Sequence, residues 1–140
     1  MKSDRKRILV DTSAWISSFR SQEETKTQDL LKQAISGDQV AIAPVILLEL
    51  IQGCKTKKER DQLRLELESL ELLDLDDPVW ERAYSLAFDL RRKGLTIPAI
   101  DIVIIALALE NNCVLLHSDR HFAAASEHIK ELEVIAIKSL

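Results

Sequence analysis

Short apolar runs alternate with longer stretches in which apolar residues recur every three or four positions, and this alternation predicts an α/β fold with a mostly parallel sheet. Strand-length runs lie near Arg7–Asp11, Val40–Ala43, Leu70–Leu73, Val114–Leu116 and Val134–Ile137. Helices fall between them. Thr12 or Ser13 is placed to cap a short helix through Trp15 to Phe19, and Thr27 to Ile35 continues helical up to Gly37, a suitable residue after a helix end. Pro44 suits the first turn of a helix ending at Gly53. Lys57–Glu68 sets Leu63 and Leu67 one turn apart among charged residues, the pattern of a one-faced surface helix. Asp77-Pro78 reads as an N-cap and first-turn proline opening a helix through Arg82, Leu86 and Leu90 that stops at Gly94. From Asp101 to Asn111-Asn112 the segment is apolar on nearly every side, so that helix belongs in the interior.

Four acids interrupt this pattern where an ordinary core has no use for them. Asp11 closes Ile8-Leu9-Val10, Glu49 sits inside Val45–Ile51, Asp101 opens Ile102-Val103-Ile104-Ile105, and Asp119 follows Val114-Leu115-Leu116. An ionised carboxylate beside apolar surface costs several kcal/mol unless it is paired, hydrogen-bonded or bound to metal. In an open parallel sheet the carboxyl ends of strands and the starts of following helices gather along one edge. If the first and fourth strands are neighbours, Asp11, Asp101 and Asp119 converge there and Glu49 reaches in from its helix. All-oxygen donors suit a hard cation such as Mg²⁺ or Mn²⁺, and the chemistry such a cluster supports is metal-assisted attack on a phosphodiester. Each acid also has a plainer reading: Asp101 as a helix cap, Asp119 as a turn residue, Glu49 as a partner of Lys55.

Composition narrows the class. The chain has 140 residues, enough for one domain spanning 1–140, and 46% hydrophobic content furnishes a full core. No apolar stretch reaches membrane-span length, and Met1 to Arg7 runs into a strand without a signal-peptide core, which predicts a soluble cytoplasmic protein. Cys54 and Cys113 stand apart, with neither disulfide nor zinc-site spacing. The net charge of −4 argues against a protein that coats nucleic acid, though an enzyme needs only local cations. Those available are Arg5-Lys6-Arg7, the cluster of Lys55, Lys57, Lys58 and Arg60, and Arg91-Arg92-Lys93. Trp15 and Phe19, a turn apart, read as core residues or as a surface for a base or a partner.

Ile8–Ile16, Glu49 in its apolar helix, Ile97–Ala106 and Leu115–Phe122 together resemble the PIN-domain ribonucleases, and the compact length is most similar to VapC-type toxins of toxin–antitoxin pairs. The resemblance implies a three-layer α/β/α sandwich with a five-stranded, mostly parallel sheet and a Mg²⁺- or Mn²⁺-dependent endoribonuclease site. It makes Asp11, Glu49, Asp101 and Asp119 the catalytic, metal-binding quartet, with Ser13 bracing the metal shell; the residues themselves favour Asp11 and Asp101 as direct ligands, with the Thr12 and Ser13 hydroxyls in support. It further implies an RNA substrate such as tRNA or rRNA, a cognate antitoxin and a homodimer. An antitoxin arginine entering the carboxylates while an apolar helix fills a groove by Trp15–Phe19 or Pro44–Lys58 is the expected mode of inhibition. Two departures stand out: His121 occupies a position where an acid often follows, and Ile105 replaces a common alanine. His117 and His121, flanking Asp119, read mainly as partly exposed polar neighbours.

Three rivals remain open at this level. A PIN-domain nuclease that processes RNA outside a toxin–antitoxin pair would use the same residues. An aspartyl-phosphate phosphatase would need a second acid two residues after Asp11, where Ser13 stands. A non-catalytic binding module would use the charged, leucine-rich Lys57–Leu73 stretch and show no metal dependence.

Overall fold

The computed structural model describes residues 6–20 and 26–137. Its elements run β1 (Ile8–Val10), α1 (Thr12–Arg20), α2 (Lys26–Ser36), β2 (Val40–Ile42), α3 (Pro44–Gln52), α4 (Lys57–Leu67), β3 (Glu71–Leu72), α5 (Asp77–Arg92), α6 (Ala99–Glu110), β4 (Val114–His117), α7 (Arg120–Ser126) and β5 (Val134–Ala136). The five strands form one sheet in the order β3-β2-β1-β4-β5, and every pairing is parallel. The chain steps one way from β1 to β2 and β3, then crosses to β4 and continues the other way to β5. Right-handed crossovers in opposite directions put helices on both faces, which makes the three-layer sandwich expected from the sequence.

β1 and β4 are neighbours at the reversal of strand order and lie deep in the sheet. Leu9, Val10, Leu115 and Leu116 have almost no solvent exposure. α6 lies against α5, and Ile102 through Ala108 are all buried, as continuous apolarity requires. Ile105, at the position where the resemblance expects alanine, is fully buried and fills that space with a larger side chain.

Several boundaries differ from the sequence expectation for local reasons. Asp11, not Thr12 or Ser13, precedes α1 and receives the Ser13 backbone N–H on its carboxylate at 3.1 Å. α2 ends at Ser36, and the left-handed residue after it is Asp38 (φ 57°) rather than Gly37, because a short acid also tolerates that conformation. Asp76 caps α5 by accepting from Val79 N at 3.2 Å, so Pro78 moves to the second helical position. Gly94 takes φ 83° where α5 must turn sharply toward α6. α6 begins at Ala99, two residues before Asp101. α4 matches its expected span, and Thr56 and Glu59 close it with a capping turn. No helix of the described residues is long and apolar enough to cross a membrane.

Candidate metal centre

The acids come together where β1 and β4 end side by side. Asp11 N donates to Leu116 O at 2.9 Å, tying the residue after β1 to its neighbour strand. The Asp11 side chain is buried (4% exposed), and its Oδ2 receives both Ser13 N at 3.1 Å and the Ser13 hydroxyl at 2.6 Å. Ser13 Oγ in turn accepts from Ser118 N at 2.9 Å. One hydroxyl therefore fixes the first acid and pins the loop that leads to Asp119. Among the described residues the second oxygen of Asp11 accepts no hydrogen bond, which leaves it for a cation.

Asp101 projects from the first turn of α6, and Asp119 is the N-cap of α7, accepting from His121 N at 2.8 Å. The plainer readings are thus reversed: Asp101, read as a cap, lies inside α6, whose N-cap is Pro98, whereas Asp119, read as a turn residue, is a helix cap. One carboxylate oxygen closes the helix while the side chain stays in the cluster. His121 Nδ1 lies 2.9 Å from Asp119 Oδ1 and 3.4 Å from Asp101 Oδ2, within ion-pairing range when the ring is protonated but without the alignment of a hydrogen bond. Asp101, Asp119 and His121 each offer a ligand atom within 4.8 Å of the other two. Glu49 is exposed on α3 and accepts from the Thr12 hydroxyl at 3.0 Å, so it reaches the rim of the cluster through Thr12.

The electrostatics reflect this crowding. Burial pushes the Asp101 carboxyl up to about 6, and the charges of Asp119, Asp11 and Glu49 push the same way against the opposing His121 ring. The charges of the other three expected acids are therefore all felt at Asp101. A divalent cation fits it: the donor set is carboxylate-rich, its negative charge is under-compensated, and His121 Nδ1 is a buried nitrogen with no hydrogen-bond partner.

Two histidines carry more than the sequence reading gave them. His117 is not partly exposed but buried (2%), on β4. Its Nδ1 accepts from Asp119 N at 3.1 Å, and burial lowers its pKa, so the neutral ring carries its proton on Nε2 and positions the Asp119 backbone. The apolar run leading to residue 117 was the available signal, because a histidine continuing a fully buried strand has no route to solvent. His121 joins the cluster because a helix cap at 119 folds residue 121 back over it. The cationic trio at the chain start is elsewhere: Arg5 lies outside the described residues, Lys6 pairs with Glu133, and Arg7 pairs with Glu71 at 2.5 Å before β1, at the far end of that strand from Asp11.

Beside the acids a groove of about 440 Å³ opens between α1, α3 and α4. Ile16, Phe19, Leu50 and Leu63 line it, with Glu49, Glu59 and Glu66 also on its walls. Phe19 is exposed there while its stacking neighbour Trp15, 6.0 Å away between ring centres, is buried. The two aromatic residues thus divide between groove and core.

Residues 8–127 match the PIN domain. The chain belongs to the PIN-domain family. This PIN domain is 30% identical over 120 residues to Ribonuclease VapC11 of Mycobacterium tuberculosis, covering 82% of the chain and 88% of that relative, which places it with the VapC ribonucleases. Its fold is shared with VapBC2 from Rickettsia felis bound to a promoter DNA fragment, at a TM-score of 0.77 and 20% identity over 94% of this chain and 98% of that one. VapBC-5 of M. tuberculosis, a member of the VapBC family of toxin–antitoxin systems, matches at TM-score 0.66 and 26% identity, covering 95% of this chain and 100% of the other.

Proposed function

We propose that the chain is one nuclease domain that cleaves structured RNA endonucleolytically with Mg²⁺ or Mn²⁺, as the toxin of a VapBC-type pair in the cytoplasm. The observation that carries this reading is the charge convergence on Asp101, where Asp119, Asp11 and Glu49 act together beside the β1–β4 reversal.

When bound, a divalent cation supplies charge neutralisation at the scissile phosphate and a more acidic water. Asp11 and Asp101 would hold it, with Asp11 kept in place by the two Ser13 bonds. Asp119, on a backbone fixed by His117, and Glu49, held by Thr12, would orient the attacking water. Cleavage that expels the 3′ oxygen leaves 5′-phosphate and 3′-hydroxyl ends. tRNA and rRNA are the substrate classes to try first.

The partner reading rests on the groove. Its apolar floor and the carboxylates of Glu49, Glu59 and Glu66 suit an amphipathic antitoxin helix with basic flanks. Glu49 belongs to both groove and metal rim, so an arginine carried on that segment reaches the acids as a bidentate substitute for the ion.

Purified chain, free of partner, is incubated with tRNA and rRNA in Mn²⁺, Mg²⁺ or EDTA, beside Asp11→Asn. Endonucleolytic cuts that vanish in EDTA and in the variant are expected. Metal-independent cuts, or none from any RNA, would overturn the assignment. Ser13→Ala removes the clamp between Asp11 and Ser118 without touching a carboxylate. It should weaken cation affinity about 10- to 100-fold, read by Mn²⁺ titration calorimetry.

A further inference from the structure

α7 turns one nitrogen toward the acids. His121 sits in its first turn, where the Asp119 cap accepts from His121 N at 2.8 Å and folds the side chain back over the carboxylates. His121 Nδ1 is buried and makes no hydrogen bond among the described residues, although the side chain as a whole is 30% exposed. Two carboxylate oxygens face it, Asp119 Oδ1 at 2.9 Å and Asp101 Oδ2 at 3.4 Å. At this position the chain departs from the acid that its resemblance implies, so what the ring does here is particular to this sequence.

Three atoms that can all accept need a positive charge among them. A proton on Nδ1 bonds well only roughly in line with an oxygen, and neither oxygen lies on that line. A metal ion sits between its donors and has no such requirement. Adjacent donors around a six-coordinate ion with bonds of about 2.1 Å stand roughly 3 Å apart, and the separations of 2.9 and 3.4 Å bracket that value. The local charge points the same way, because Asp11 and Glu49 add to Asp101 and Asp119 more negative charge than one ring proton offsets.

Donor type then governs the choice of ion. An imidazole nitrogen suits transition ions, with affinity rising from Mn²⁺ to Co²⁺, whereas Mg²⁺ favours oxygen donors. We propose that His121 Nδ1 is a direct ligand alongside Asp101 Oδ2 and makes this centre selective for a transition ion over Mg²⁺. The inference rests on the metal-dependent reading of the same site and adds its selectivity.

Electron spin echo envelope modulation of the tag-free full chain loaded with Mn²⁺ tests it. The nitrogen coupling of a bound imidazole is expected, and His121→Asp should abolish it while Mn²⁺ stays bound. Titration calorimetry gives a second readout: the Co²⁺-to-Mg²⁺ affinity ratio should fall at least about tenfold in His121→Asp, because a carboxylate puts an oxygen donor where the nitrogen stood. The wild-type coupling depends on no variant, and circular dichroism checks that the substituted chain folds. Mn²⁺ bound to the wild type without nitrogen coupling overturns the proposal and leaves the metal-dependent reading standing. A coupling that persists in His121→Asp, or an ion ratio that the substitution does not move, does the same. A wild type that binds no divalent ion overturns both.

Discussion

Asp101→Asn is expected to cost about a thousandfold in RNA cleavage and, in metal-free protein at neutral pH, to raise the melting temperature. The first half follows from removing a direct ligand, because several kcal/mol of charge stabilisation at the phosphate correspond to about 10³ in rate. The second half comes from the same carboxyl's position, since burial first, and then Asp119, Asp11 and Glu49, raise its pKa from 3.8 to about 6. The folded chain holds this proton more tightly than the unfolded one, so this group's favourable contribution is complete below about 3.8 and is lost as pH rises through about 6. At neutral pH the site is therefore a stored electrostatic penalty, and the neutral amide removes it.

Calorimetry across pH separates this from generic effects. Lowering the pH from neutral toward 5 should stabilise the metal-free wild type more than the Asn variant. Mn²⁺ should stabilise the wild type more at neutral pH than at 5, where protons compete for the same carboxyl, and should leave the variant's melting point nearly unchanged. A variant that melts lower than wild type at neutral pH, or that still cleaves RNA, would count against the assignment.

What the sequence made legible was whatever obeys a simple period. The strand pair β1–β4 and the helix α6 are nearly uniform in apolarity, and their burial follows directly. The meeting of Asp11, Asp101 and Asp119 followed from them, because strand ends and helix starts share one edge of a parallel sheet. α7 escaped notice because Ala123-Ala124-Ala125 has no apolar periodicity and the helix is only seven residues long. The role of His121 depends on that helix, so it was hidden with it, whereas the burial of His117 was legible in the apolar run that precedes it. Asp38 took the left-handed turn residue from Gly37 because side-chain size alone does not decide which of two adjacent residues bends.

Phe122→Ala should unmake fold and site together. Phe122 is fully buried on α7, and its ring lies 5.4 Å from the His117 ring at a 58° tilt. Truncating a buried phenylalanine costs about 3–5 kcal/mol, a large share of the 5–15 kcal/mol that holds an ordinary domain. The loss is not spread evenly. Phe122 and Ala125 are the buried residues of a seven-residue helix that is too short to persist without packing. Loosening it releases the Asp119 cap, withdraws His121 from Asp101, and frees the His117 ring that holds Asp119 N. Urea unfolding should therefore show a much lower midpoint, while Mn²⁺ titration of the fraction still folded should show at least a tenfold loss of affinity. Phe122→Leu, which keeps most of the volume, should recover much of both. A variant that loses stability but binds Mn²⁺ as tightly as wild type would mean that Asp119 and His121 are held by something other than the packing of α7.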